Sequence, residues 1–306
     1  MKQSVCLFFL FLLAACQPAS IPPTATLPPP HVVIETITPS PIPTETLVPS
    51  PTPTTEELIF PYTIEGLRQR DYQSGEIHIR STLDENDKFT SYLIDYPSDG
   101  LTITGMMLIP KVEGPFPVIV MNHGFYARSV FSSGGGTDRS SAFLAEHGYI
   151  TIASDYRSWG GSDIGESFFY SGLVIDVINL LYAIPSIPQA DPDRIGMWGH
   201  SMGGGVTMKV LTVLGGLDTP LTTVRDYSTT VKAAVLYSTV SADHADVIAR
   251  WGNGCFGDIA AGEQVIGCNS ADVVPLDLPL NLQNAYRLAA EDPDVMMTIS
   301  PRKTPT

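Results

Sequence analysis

Ile195-Gly-Met-Trp-Gly-His-Ser-Met-Gly-Gly-Gly205 packs a strand, a sharp turn and the start of a helix into one short segment. Residues 195–198 read as a buried strand. Gly199-His-Ser-Met-Gly203 then has the G-x-S-x-G spacing, in which a serine sits on a strained bend between a strand and a helix. Glycines two before and two after the serine let the two backbones come nearly into contact. Such a bend holds the Ser201 hydroxyl clear of the sheet, at the N-terminal end of the helix that begins at Met202. The Met202 amide is then aimed where negative charge would develop on an attacked carbonyl. Ser201 is the candidate nucleophile. A glycine-rich turn with an idle serine would show the same pentapeptide; the flanking strand and helix separate the two cases.

Outward from this turn the pattern repeats. Residues 118–121, 149–153 and 233–236 are apolar on both faces, as the central strands of a covered sheet must be. Residues 76–80, 90–96 and 101–109 alternate or are rich in β-branched side chains, and Ser98-Asp99-Gly100 between the last two is a hairpin signal. Helical spacing marks residues 140–147, which stop at Gly148, then 173–184, 202–214 and 280–290. Strands alternating with helices predict an α/β fold: a mostly parallel sheet with helices on both faces, spanning residues 58–306.

Composition narrows the function classes. With 17 Lys+Arg against 32 Asp+Glu the formal charge is −15, which repels phosphate backbones and argues against a nucleic-acid partner. Twelve of the 26 prolines lie between Gln17 and Thr55, so residues 16–57 read as an extended polyproline-type spacer outside the folded body. Before it, Lys2 and the apolar run 5–13 form an export signal too short to span a ~30 Å hydrocarbon layer. The ending Leu13-Ala-Ala-Cys16 resembles the lipobox of bacterial lipoproteins. That resemblance implies removal of residues 1–15, a lipid on Cys16, and a position on a membrane of the bacterial cell envelope. Cys255 and Cys268, 13 positions apart in an oxidising compartment, read as a disulfide within a lid insertion at 252–280. No metal site and no cofactor motif is expected.

Further motifs carry a family likeness. Asp95-Tyr-Pro-Ser-Asp99-Gly-Leu-Thr-Ile-Thr-Gly105, Pro117-Val-Ile-Val-Met-Asn-His-Gly124 and Gly148-Tyr-Ile-Thr-Ile-Ala-Ser-Asp-Tyr-Arg157 resemble the prolyl oligopeptidase-like branch of the α/β-hydrolases. Asp191-Pro-Asp-Arg-Ile-Gly-Met-Trp-Gly-His-Ser-Met-Gly-Gly204 does so too. The likeness covers about residues 90–245. It implies hydrolysis of an ester or peptide bond through an acyl-enzyme on Ser201, without a cofactor. The amides of Phe125 and Met202 would be the oxyanion donors, and His123 would either donate directly or fix the loop. Dienelactone hydrolases and carbohydrate esterases share the turn, so a carboxylesterase is the alternative. A β-propeller gate has no room before residue 110, which favours small esters.

One departure stands out. The fold's triad runs Ser, acid, His in chain order, yet the only histidine after Ser201 is His244. Three readings compete: a chain whose C-terminal strands, acid and base are missing; His244 as a displaced base with Asp218 or Asp226; and a lipid-anchored binding protein that keeps the fold without catalysis.

Overall fold

The computed structural model describes residues 52–72, 75–215, 231–252, 256–257, 274–275 and 278–301. The main sheet has seven strands: β1 (His78–Glu85), β2 (Phe89–Ser98), β3 (Leu101–Pro110), β4 (Phe116–Asn122), β5 (Ile150–Ser154), β6 (Ala190–His200) and β7 (Val231–Tyr237). Their spatial order is β1-β2-β3-β5-β4-β6-β7. The first three strands and the β3–β5 pair are antiparallel; β5, β4, β6 and β7 are parallel. This is the α/β-hydrolase architecture expected from the sequence.

Helices cover both faces. α3 (Asp138–Glu146) packs on one side, where Phe89, Leu108 and Ala145 meet. α4 (Ser171–Ala183) and α5 (Met202–Gly215) pack on the other, against Ile94, Ile103, Met107, Val118, Val120, Ile150 and Ile152. Every residue of α4 is buried, so this apolar segment serves as the core helix of the fold. From β4 the chain passes through α3 to β5 on one side, then through α4 to β6 on the other. The strand order therefore reverses at β4, and the carboxyl ends of β4 and β6 are the switch point at which open α/β sheets hold their ligands.

A third layer was foreseen only in its helix at 280–290. α1 (Thr55–Ile59), α2 (Ile64–Arg68), α6 (His244–Trp251), α7 (Leu280–Glu291) and α8 (Pro293–Ile299) are short. Ile59, Tyr62, Phe168, Phe169, Ala285, Ala289, Met296 and Ile299 form a small core of their own. α1 starts with a capping box: Thr54 Oγ1 accepts from the Glu57 amide, and the Glu57 carboxylate accepts from the Thr54 amide. Regular structure thus begins before residue 58, the boundary expected from composition. Among the described residues the main sheet ends at β7, and only the two-residue strands β8 (Phe256–Gly257) and β9 (Val274–Pro275) pair beyond it. Val235, Leu236 and Tyr237 on this edge are exposed. The lid expected at 252–280, with Cys255 and Cys268, lies largely outside the described residues, as do the signal, Cys16 and the spacer up to residue 51.

One buried charge cluster ties the layers together. Arg157, 1% exposed, donates from Nη2 to Asp176 Oδ1 at 2.9 Å and from its amide to Asp176 Oδ2 at 2.8 Å. It also reaches Glu166 at 3.2 Å and Asp99 at 3.4 Å. Asp176 lies in the middle of α4, fully buried, and accepts from Ser98 Oγ at 2.7 Å as well. Removing one charge strands the other in the interior, at a cost of about 3–5 kcal/mol, whereas apolar replacement of both is far milder. Asp176→Asn should therefore lower the urea midpoint more than Arg157→Met combined with Asp176→Leu. A double variant as damaged as the single one would contradict this account.

Candidate active site

β6 delivers Ser201 to the switch point, and the turn there has the strained geometry that the sequence demanded. Ser201 has φ +53° and Met202 opens α5. A left-handed conformation costs a non-glycine residue roughly 1–2 kcal/mol, so the surroundings must enforce it. The Ser201 amide donates to the Tyr237 carbonyl at 3.2 Å, and its carbonyl accepts from Gly204, Gly205 and Val240 at 3.0, 3.3 and 3.2 Å. A Cβ on Gly203 would run into the Asn122 and His123 carbonyl oxygens at the end of β4. Strand and helix backbones therefore meet closely enough to exclude any side chain at that point. Asn122 Nδ2 donates to Thr207 Oγ1 at 2.8 Å, and that hydroxyl donates to the Gly203 carbonyl at 2.8 Å. This brace between β4 and α5 was invisible in the sequence, because its two residues are 85 positions apart.

On the opposite side of Ser201 stands Gly124. A Cβ there would lie 3.1 Å from the Ser201 Cβ, so the next residue, Phe125, begins within reach of the serine. Among the described residues the Phe125 amide makes no backbone hydrogen bond. The Met202 amide, first in its helix, has no acceptor inside the helix. The structure thus brings the Gly124–Phe125 backbone against Ser201, with Met202 starting α5 directly after it.

His123 does not reach into this space. Its ring is 1% exposed, sandwiched between Phe131 and Tyr156 with centroids 4.5 and 4.4 Å away. Nδ1 lies 2.7 Å from the Gly124 carbonyl, and Nε2 lies 3.2 Å from the Asp155 carbonyl. Burial pushes its pKa down to about 4, so the ring is neutral at ordinary pH. The bond to the Gly124 carbonyl has a consequence for the amide. That carbonyl and the Phe125 N–H belong to one peptide plane and point in opposite directions. By holding the oxygen, His123 sets the direction of the N–H; its part is orientation of the loop.

His244 stands elsewhere. It begins α6, and its ring is buried against Phe169 and Tyr170. Nε2–H donates to the Phe169 carbonyl at 2.6 Å, while Nδ1 is buried without a partner. The same carbonyl accepts from Lys209 Nζ at 2.9 Å, a fully buried ammonium that also donates to Ser171 Oγ at 2.9 Å and Tyr62 O at 3.3 Å. Burial, with the Lys209 charge beside it, pushes His244 down to about 3. Its contacts are Phe169, Tyr170 and Ser300, and Ser201 is not among them. Asp218 and Asp226, its suggested partners, lie outside the described residues. His147 caps α3 by donating from Nδ1 to the Phe143 carbonyl at 2.7 Å, and His200 stacks on Tyr237 with centroids 5.2 Å apart. Asp155 builds a loop: its carboxylate accepts from Ser133 Oγ at 2.5 Å, Thr104 Oγ1 at 2.6 Å and the Gly134 amide at 3.3 Å. Among the described residues no cluster of ligating side chains fits a metal ion.

Chemically, the arrangement offers an alkanol on a strained bend at the start of a helix. The family model described as Chlorophyllase matches residues 72–224, half of the chain. Esterase FrsA of Shigella boydii is 29% identical over 114 residues, 36% of this chain and 25% of its own length. The quorum-quenching protein AidA of Acinetobacter baumannii is 30% identical over 121 residues, 37% and 36% of the two chains. An acetyl xylan esterase from a Paenibacillus species superimposes with a TM-score of 0.46 at 16% identity, over 82% of this chain and 74% of its own. The chain spans about a quarter to a third of the length of the curated relatives it matches. The matching family is chlorophyllase, where the sequence motifs pointed to the prolyl oligopeptidase-like branch; both readings rest on the α/β-hydrolase fold.

The two buried imidazoles make stability depend on pH. An unfolded imidazole binds a proton near pH 6.5, whereas His123 and His244 remain neutral in the folded chain down to about 4 and about 3. Below neutrality the unfolded chain binds more protons, so stability present above pH 6.5 is lost as the pH falls. Each ring accounts for about 1 kcal/mol between pH 7 and 5.5. Urea unfolding at the two pH values should show His244→Gln losing less than wild type by that amount. Equal losses in both would mean that His244 is not held neutral.

Proposed function

Because this chain belongs to the chlorophyllase family, we propose that it is a serine carboxylesterase in which Ser201 attacks the carbonyl of a small ester. The observation that carries the reading is the left-handed bend at Ser201, enforced where Gly203 and Gly124 meet the neighbouring backbone. In this reading the Phe125 and Met202 amides receive the charge of the tetrahedral intermediate, as preorganised donors do in acyl transfer. The acyl-enzyme on Ser201 is then released by water. An ester is preferred to a peptide bond because a relative similar over this region is named an esterase. The lipobox-like ending at Cys16 supports placing the enzyme on a membrane of the bacterial cell envelope.

A serine of this kind needs a base. Among the described residues, His123, His147 and His244 give ring nitrogens to backbone carbonyls, His200 stacks on Tyr237, and His78 faces Asp95. The reading therefore assigns no described imidazole to Ser201 and predicts chemical rescue. With p-nitrophenyl acetate, Ser201→Ala should lower turnover by at least about tenfold, given the residual catalysis that binding and amide donors supply without a full triad. Added imidazole should accelerate the wild type and leave the variant near the solution rate. Equal turnover by wild type and Ser201→Ala would end the esterase reading.

A further inference from the structure

The loop after β5 is strained at alternate residues. Tyr156, Ser158 and Gly160 have φ of +62°, +71° and +59°, so two non-glycine residues adopt the left-handed conformation within three positions. Residues held this way persist only where their surroundings over-determine them. The residues beside them supply that hold. Asp155 accepts three hydrogen bonds, and Arg157 is locked into the Asp176 and Glu166 carboxylates. What the rigid loop presents is Trp159, only 7% exposed.

Contacts from this loop converge on the segment that contains the Phe125 amide. Trp159 Nε1–H donates to the Tyr126 carbonyl at 2.9 Å. Its ring meets the Phe125 ring edge-to-face, with centroids 6.3 Å apart and planes at 88°. Arg128 Nε donates to the Ser158 carbonyl at 2.8 Å, and His123 Nε2 lies 3.2 Å from the Asp155 carbonyl. The Phe125 N–H lies in the first of two fixed peptide groups, 124–125, and the second, 126–127, follows directly after Tyr126. His123 holds the Gly124 carbonyl on one side, and Trp159 holds the Tyr126 carbonyl on the other. Pinning both ends of this short stretch restrains the Phe125 and Tyr126 backbone between them, and with it the 124–125 peptide that carries the Phe125 N–H beside Ser201.

We propose that Trp159 is a positioning residue that presets the Phe125 amide for the developing oxyanion, by gripping the Tyr126 carbonyl from a strained and anchored loop. The inference rests on the esterase reading and deepens it. Trp159 touches neither substrate nor Ser201 in this role. Its loss should therefore weaken transition-state stabilisation and leave ground-state binding alone.

The test is Trp159→Phe in the full chain, which keeps an aromatic ring against Phe125 and removes the N–H. Acylation by p-nitrophenyl acetate should slow by about tenfold with KM within about twofold, a fraction of the loss seen when an oxyanion donor is deleted outright. Affinity for an aryl trifluoromethyl ketone, which forms a tetrahedral oxyanion on the serine, should fall by the same factor. Affinity for the matching methyl ketone should not change. If Trp159→Phe does not fold, benzothienylalanine at position 159 removes the same N–H from an isosteric ring. An unchanged acylation rate, or equal losses for both ketones, would overturn the proposal. Should wild type and Ser201→Ala be equally active, the esterase reading itself has failed, and that outcome is distinct from an unaffected Trp159 variant.

Discussion

Two backbones meeting with no side chain between them is the constraint on which the rest depends. Where Gly203 lies on the Asn122 and His123 carbonyls, α5 is drawn down onto the end of β4, and the connection from β6 has no room except a left-handed Ser201. That single approach does several things at once. It tilts the serine hydroxyl out of the sheet and sets Gly124 against the serine Cβ. It also brings the segment after β4 and the first turn of α5 to the same serine. The strand reversal at β4 puts the serine at the sheet's switch point. Geometry of this kind costs local strain, and the hydrogen bonds around Ser201 together with the Asn122–Thr207 brace offset it.

A similar logic governs the polar interior. Arg157 and Lys209 are both buried, yet they are satisfied differently. Arg157 is surrounded by carboxylates and clamps the loop after β5 to α4 and to the β2–β3 turn. Lys209 faces only a hydroxyl and two carbonyls, so burial pushes its pKa well below the usual amine range. It shares the Phe169 carbonyl with His244, fixing a left-handed pair, Phe169 at +53° and Tyr170 at +64°, just ahead of α4. The third layer of short helices is seated on that pair. Buried polar groups here act as locators for irregular backbone.

Much of this was legible in the sequence, and the boundary is physical. Central strands announce themselves by apolar runs such as residues 118–121, and the elbow by glycine spacing around Ser201; both signals are local. Of the outer helical layer only α7 was read, because α1, α2 and α8 are too short for a periodic pattern. Thr54-Thr-Glu-Glu57 does not stand out as a capping box at the end of a proline-rich stretch, although α1 starts with one. The Arg157 cluster could not be read, since Asp99, Glu166 and Asp176 are brought to it only by folding. His244 drew attention as the one histidine after Ser201, but chain order says nothing of direction. Its ring turns to the Phe169 carbonyl.

The most direct measurement is a crystal structure of the chain after reaction with a p-nitrophenyl phosphonate. The account predicts one phosphonyl group, on Ser201 Oγ, with the serine still at positive φ. Its phosphoryl oxygen should lie within about 3.1 Å of both the Phe125 and Met202 amides. An adduct whose oxygen faces solvent, or a Ser201 relaxed to negative φ, would contradict it.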